Sequence, residues 1–482
     1  MNTKIIAYII GFLLIIEGLL MLPGVVFSLY YGDEDVLAIV FSSSITVITG
    51  LVLWFFSKSK EHQEIKKRDG YIIVALGWFL MSVFGTLPFL IHGSVPSFID
   101  AFFETVSGFT TTGASVIRDV EILPHGILFW RSMTHWIGGM GIIVLSLAIL
   151  PLLGIGGMQL YVAEVAGPTK DKLHPRVQET AKRLWGIYVL ITIAQTFLLL
   201  FGGMNLFDSL CHSFGTVATG GFSTKNASVA FYNSAYIDYV IIFFMFISGT
   251  NFTLHYLALH GKIKSYFEDE EFRFYLIFVL TVVFSIGIYL TITSSRGFEE
   301  AVRHAAFSVI SILSSTGFVT DDYEKWGYFF STIFLVLLLM GACAGSTSGG
   351  IKMVRHYLLL KNSVYELKRL IHPNAILPVR YNKKAVAPDI ISKVSAFTLL
   401  YFFIFALASI IMAMTGLELS SAMGAVAACL GNIGPGLGST GPATTFANVS
   451  DFGKAFLSFI MLLGRLELFT ILIIFSPSFW KK

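Results

Sequence analysis

Charge is scarce in this chain, and cysteine is scarcer. Asp, Glu, Lys and Arg make up 13% of its 482 residues, about half the roughly 25% typical of soluble proteins. The net charge of +3 is too small to imply a nucleic-acid partner. Cys211, Cys343 and Cys429 form no close pair, so neither a disulfide framework nor paired metal-ligand spacing is present. No HExxH, GxSxG or paired Cys/His motif occurs, which argues against an enzyme and implies no cofactor held by the chain.

Apolar residues fill that gap. They account for 55% of the sequence, with a mean hydropathy of +0.76, and they lie in long blocks. About 20 apolar residues in helical form cross a bilayer. Stretches of that kind run Ile5–Tyr30, Leu37–Phe56, Tyr71–Ile91, Gly126–Leu153, Leu184–Phe201, Tyr236–Leu259, Phe274–Ile292, Tyr328–Ala342, Val394–Met414 and Ala455–Phe475. An all-α membrane protein of ten spans follows, and an even number places both termini on one side. The first stretch is too long for a signal peptide and lacks a small-residue cleavage site, so it reads as a retained helix.

The linkers alternate in charge. Lys58, Lys60, Lys66, Lys67 and Arg68 follow the second span; Lys170, Lys172, Arg176, Lys182 and Arg183 follow the fourth. Lys262, Lys264 and Arg273 follow the sixth, and a basic run from Lys352 to Lys393 follows the eighth. The intervening linkers are acidic or mixed, beginning with Asp33, Glu34 and Asp35. Basic loops stay on the cytoplasmic side, so both termini are expected there.

Each of the last four outer linkers holds a segment of about 10–14 moderately apolar residues, too short to span and suited to a re-entrant helix. Each ends in small residues: TTTGAS at Thr110–Ser115, ATGGFS at Ala218–Ser223, SSTGFVT at Ser314–Thr320 and GNIGPG at Gly431–Gly436. Aligned on Gly113, Gly220, Gly317 and Gly434, they are separated by 107, 97 and 117 residues. Such a period means one unit used four times: span, half-helix, glycine-centred loop, span. The chain then divides into a hairpin at 1–69 and four units at 70–169, 170–264, 265–385 and 386–482. Irregular backbone at membrane depth is tolerated where it lines a cavity. Four such loops on a pseudo-fourfold axis would aim carbonyls at a pore and replace the hydration shell of a cation. The expected lining is Thr111, Thr112 and Gly113; Ala218, Thr219 and Gly220; Ser315, Thr316 and Gly317; and Asn432, Ile433 and Gly434. Half-helices entering from outside would direct their partly negative C-terminal ends at that pore.

These loops, together with FWRSMTHWIGGMGI at Phe129–Ile142, GACAGSTSGGIKMVRH at Gly341–His356 and GRLELFT at Gly464–Thr470, resemble the Trk/Ktr/HKT superfamily of potassium transporters over nearly the whole chain. The extra N-terminal hairpin resembles the TrkH branch more than the shorter KtrB branch. The resemblance implies potassium ion as substrate, a bacterial inner (plasma) membrane location and a homodimer with one pore per subunit. It also implies a cytoplasmic nucleotide-binding regulatory subunit such as TrkA. Gly113 fits the potassium-selective pattern, since sodium-permeable relatives tend to carry Ser there. The fourth loop departs most, with Asn432 and Ile433 in place of a Thr-rich approach and Pro435 after the glycine.

Other polar residues interrupt the spans. Gly345, Ser346, Thr347, Ser348, Gly349 and Gly350, after Ala344, break the eighth span, because so many small residues hold no stiff helix. This run is either a cytoplasmic loop or, as the short apolar segment before it suggests, a flexible gate below the loops. Arg465, midway along the tenth span, reads as pore-facing or as a partner of Glu467; residues two apart face different sides of a helix, which favours the former. Glu17 reads as a structural hydrogen-bonding group and His135 as a packing residue beside close-approaching glycines. Asp100, Asp208, Glu299 and Glu300 lie where carboxylates cap half-helix amides. Two transport readings remain: a channel-like pore, and a symporter coupling potassium to sodium or protons through Glu17, His135 or Glu467.

Overall fold

The computed structural model describes residues 2–57, 67–144 and 173–481. Lys58, Lys60, Lys66, Lys170, Lys172 and the end of the fourth span lie outside them. Among the described residues the regular structure is helical apart from one antiparallel pair, Arg380–Tyr381 with Lys384–Ala385. Helix is the form that satisfies every backbone group of a segment internally, which apolar surroundings require. Six helices are long and apolar enough to cross a membrane, or eight if two sharply bent pairs each count as one span. The other two sequence-predicted spans correspond to helix His125–Val144 and the shorter Tyr328–Leu338.

The N-terminal hairpin pairs Thr3–Met21 and its continuation Pro23–Tyr31 with Val36–Ser57. Its helices meet through small residues. A methyl on Gly11 would lie 2.7 Å from the Gly50 carbonyl oxygen, and one on Gly50 would lie 2.7 Å from that of Gly11. Ser43 donates to the Gly18 carbonyl at 2.7 Å. Close backbone approach of this kind is how helices pack where lipid removes the hydrophobic drive. The opposite faces carry exposed Phe12, Leu19, Phe41 and Ile48.

Four short helices are buried in the middle of the molecule: Phe98–Phe109, Leu206–Val217, Phe298–Leu313 and Leu419–Gly431. Their caps correct the expectation for the acidic residues. Ser97 and Asn205 cap the first two, accepting from the amides of Asp100 and Asp208, while Gly297 caps the third with no side-chain bond. The carboxylates have other tasks: Asp100 pairs with Lys454, Asp208 accepts from Thr224, and Glu299 pairs with Arg303.

Three of the inner segments are broken. Ala235–Ser248 turns by 101° into Phe252–Leu259, and Asp451–Arg465 turns by 117° into Phe469–Phe475. The third, Tyr328–Leu338, gives way to irregular chain before helix Met353–Ile371 begins. The tenth span is therefore not continuous, and Arg465 stands at the last position of its first half.

Candidate functional site

All four buried helices end in the same turn. Thr111, Thr219, Ser315 and Asn432 have φ of 51°, 55°, 57° and 53°, and two residues later Gly113, Gly221, Gly317 and Gly434 have φ of 82°, 77°, 82° and 96°. The left-handed region is uncommon outside glycine, and each such residue costs about 1–3 kcal/mol unless its surroundings impose it. The imposing bonds recur in all four copies. The amides of Thr111, Thr219, Ser315 and Asn432 donate three residues back, and those of Thr112, Gly220, Thr316 and Ile433 donate five residues back, to Ser107, Gly215, Ser311 and Ala428.

This geometry corrects the alignment of the second loop. Gly221, not Gly220, matches Gly113, Gly317 and Gly434, so Ala218 matches Thr110 and Ser314 at the helix end, and Gly220 matches Thr112 and Thr316. Two adjacent glycines made the register ambiguous. The aromatic after the glycine, Phe222 in one loop and Phe318 in the next, would have resolved it.

The four loops form a closed ring. A methyl on Gly113 would overlap the Gly220 carbonyl oxygen, one on Gly221 that of Thr316, and one on Gly317 that of Ile433. One on Gly434 would lie 2.8 Å from that of Thr112, which completes the circuit. Gly113, Gly221, Gly317 and Gly434 also line one cavity of about 130 Å³, whose polar lining includes Ser115, Arg118, Arg131 and Lys225. Thr111, Thr112, Ala218, Thr219, Ser315, Thr316, Asn432 and Ile433 are all fully buried.

Side chains brace the ring from behind. Glu104 accepts from Arg131 Nε at 2.7 Å and from the Val116 amide at 2.9 Å. Removing one partner of a buried pair like this costs about 3–5 kcal/mol. Thr110 and Thr112 share a hydroxyl bond of 2.7 Å, as do Ser314 and Thr316. In the fourth loop Asn432 Nδ2 donates to Thr112 Oγ1 at 3.0 Å and to the Met461 carbonyl at 2.9 Å. Its amide does the bracing that hydroxyls do elsewhere.

The Gly345–Gly350 segment lies directly against the helix ends that carry the ring. Thr347 Oγ1 donates to the carbonyl of Val217 at 3.0 Å and of Ser248 at 3.3 Å. The Gly349 amide donates to Ser315 Oγ at 2.6 Å, and a methyl on Gly349 would overlap the Gly431 carbonyl oxygen. Arg465 Nη1 donates to the Thr347 carbonyl at 2.8 Å and Nη2 to that of Gly138 at 3.3 Å. The segment is thus packed inside the protein, not a free surface loop, and Ser346, Thr347 and Ser348 are buried. Its neck is pinned: Gly341 N donates to Ile351 O at 2.8 Å, and Glu271 Oε1 accepts from the amides of Ala344 at 2.7 Å and Val354 at 3.0 Å. Glu467 pairs with Arg355 at 2.6 Å instead of Arg465. Neither Glu271 nor the Arg355 pairing was visible in sequence, since their partners lie 73 to 112 residues away.

Among the described residues, no cluster of His, Cys, Asp and Glu could hold a metal ion. The ring is built at the C-terminal ends of four helices, each end carrying about half a negative charge.

Residues 37–482 match the family model for TrkH, described as a cation transport protein. The Trk system potassium uptake protein TrkH of Escherichia coli K12 is 42% identical over 488 residues, covering 100% of both chains. The same-named protein of Halomonas elongata is 40% identical over 485 residues, again covering 100% of both. The crystal structure of the potassium transporter TrkH from Vibrio parahaemolyticus superposes with a TM-score of 0.91 at 39% identity, over 100% of each chain.

Proposed function

Because this chain belongs to the TrkH family of cation transport proteins, we propose that it takes up potassium through a cation-selective, channel-like pore. In this reading the four loops are the selectivity filter of four span–half-helix–loop–span units on a pseudo-fourfold axis. The observation that carries it is the closed ring, in which every loop's glycine leans on the next loop's carbonyl. A left-handed residue at each loop's first position and a left-handed glycine at its third turn successive carbonyls toward one side, where they replace water around a dehydrated ion. The filter residues are Thr111–Gly113, Thr219–Gly221, Ser315–Gly317 and Asn432–Gly434.

The Gly345–Gly350 segment is the gate, here lying across the underside of the filter, and Arg465 holds it there. A unit charge about 4 Å from a passing cation opposes it by about 4 kcal/mol at an effective dielectric of 20. Conduction then requires withdrawal of the segment and of the guanidinium bonded to Thr347. Helix Met353–Ile371, which follows the gate and meets the last span through Arg355–Glu467, is the natural handle. A homodimer on a cytoplasmic nucleotide-binding regulator of TrkA type, in the inner membrane with both termini cytoplasmic, completes the reading; it is supported by family resemblance and by the basic inner linkers.

One feature favours the coupled alternative. Both carboxylate oxygens of Glu17 are buried without a hydrogen-bond partner, as a group that takes up a proton or ion would be. Reversal potentials of the reconstituted protein decide between the two. A value that follows the potassium gradient alone supports the channel, and one that moves with sodium or pH overturns it. Gly113→Ser tests the filter: a left-handed serine that meets the Gly220 carbonyl should lower total flux steeply, and in the flux that remains sodium permeability should rise relative to potassium; an unchanged ratio would remove Gly113 from it.

A further inference from the structure

The second loop of the ring lacks something the other three have. At the position before the left-handed glycine, Thr112, Thr316 and Ile433 each carry a side chain behind the carbonyl, whereas Gly220 carries none. The space is not empty. A methyl on Gly220 would lie 2.5 Å from both Cγ and Nδ1 of His135 and 2.7 Å from Cδ2, so the imidazole occupies the place of the missing side chain. His135 comes from helix His125–Val144, one turn beyond Arg131, and is fully buried.

Its two nitrogens are both used, and their roles are fixed. The Phe222 amide can only donate, so Nε2, 3.1 Å away, accepts. The hydrogen of the neutral ring therefore sits on Nδ1 and is donated to the Gly108 carbonyl at 2.8 Å. The ring spans the last turn of the first half-helix and the exit of the second loop, with its centroid 4.0 Å from that of Phe222. Arg131 holds the same loop one residue further on, donating to the Ser223 carbonyl at 3.0 Å with its guanidinium 3.5 Å over Phe222.

We infer that His135 is a selectivity-determining positioning residue: it substitutes for the side chain missing at position 220 and fixes the Gly220 carbonyl against Gly113. This rests on the filter reading above. It differs from a packing role because it ties the first half-helix to the second loop at the one joint whose carbonyl residue, Gly220, has no side chain of its own. It also accounts for the glycine at 220, whose backbone φ is not left-handed and does not itself demand one.

The test uses the full-length protein reconstituted in liposomes, with sodium-to-potassium permeability ratios and the potassium concentration for half-maximal flux as readouts. His135→Ala should raise relative sodium permeability about tenfold, the effect of losing one such hydrogen bond, and Gly220→Thr alone should abolish flux. The double variant His135→Ala/Gly220→Thr should recover flux and most of the lost selectivity, because the threonine fills the vacated space. A purely structural histidine would lower protein yield without changing the ratio and would give no such rescue. Wild-type selectivity in His135→Ala, or a double variant no better than Gly220→Thr, overturns the inference. Should His135→Ala fail to fold, His135→Gln decides by the same ratio, since it keeps an acceptor but leaves the ring space empty. Gly113→Ser run in parallel separates the failures: a shift there with none at His135 sinks only this inference, and no shift in either sinks the filter reading with it.

Discussion

The four glycine loops of the ring and the Gly345–Gly350 segment are made of the same material, glycine with Ser and Thr, and lie in contact with one another. They differ in where their hydrogen bonds go. Each loop of the ring is tied to the helix it has just left, by amides reaching three and five residues back. The segment below has local bonds too, from Ser346 to Cys343 and from Lys352 to Ser348, but adds bonds to distant parts of the chain: Val217, Ser248, Phe252, Ser315 and Arg465. Local bonds close as a helix ends and open only if the helix unwinds. Borrowed bonds can be exchanged by moving either partner. Small residues alone therefore do not mark a mobile element; the ownership of the bonds does.

Substitution at the ring should have the largest effect. Gly221→Ala combines a left-handed alanine, costing about 1–3 kcal/mol, with overlap of the Thr316 carbonyl. Potassium uptake should fall about 100-fold or more, each 1.4 kcal/mol being tenfold. Uptake near wild type would mean the ring is looser than its geometry.

Arg465→Ala, or deletion of Thr347–Gly349, acts on the borrowed bonds and should have the opposite sign. Loss of a charge worth about 1–4 kcal/mol predicts flux raised about tenfold with the permeability ratio unchanged, measured in bilayers at matched protein levels. Flux at or below wild type in both variants would show the segment to be a linker. Thr347→Val is the milder probe. It deletes only the hydroxyl that reaches Val217 and Ser248, about 1 kcal/mol, so flux should rise about fivefold. A drop instead would mean that the hydroxyl serves the open state.

Much of this arrangement was legible in the sequence because its signals are local. Apolar runs mark spans, and small-residue clusters at a common spacing mark the loops. The register at Gly220 and Gly221 was not legible, because spacing alone cannot choose between neighbours. The bend at Glu467 and Leu468 was also hidden. Their φ values of 54° and 24° are positive with no glycine present, so tertiary contacts, among them Arg355–Glu467, override local preference. The clamp at Glu271 depends on partners 73 and 83 residues away and had no sequence pattern to announce it; His135 stood out as a packing residue beside glycines, but its bonds to Gly108 and Phe222 did not.

The circuit of the ring also imposes an order on biosynthesis. Its closing joint, Gly434 against Thr112, and the bonds Asn432–Thr112, Arg118–Asn448 and Arg465–Gly138 link residues 320 to 330 positions apart. Nothing on that seam can form until the last unit leaves the ribosome, so the first loop waits, unsealed, through the insertion of every span that follows. Nascent chains stalled before Gly431 should expose Thr112 to cysteine labelling after a Thr112→Cys change, and completed chains should not; equal labelling would mean the seam closes without its last member. A chain released early would leave in the membrane a ring open on one side, at the seam between its first and last loops.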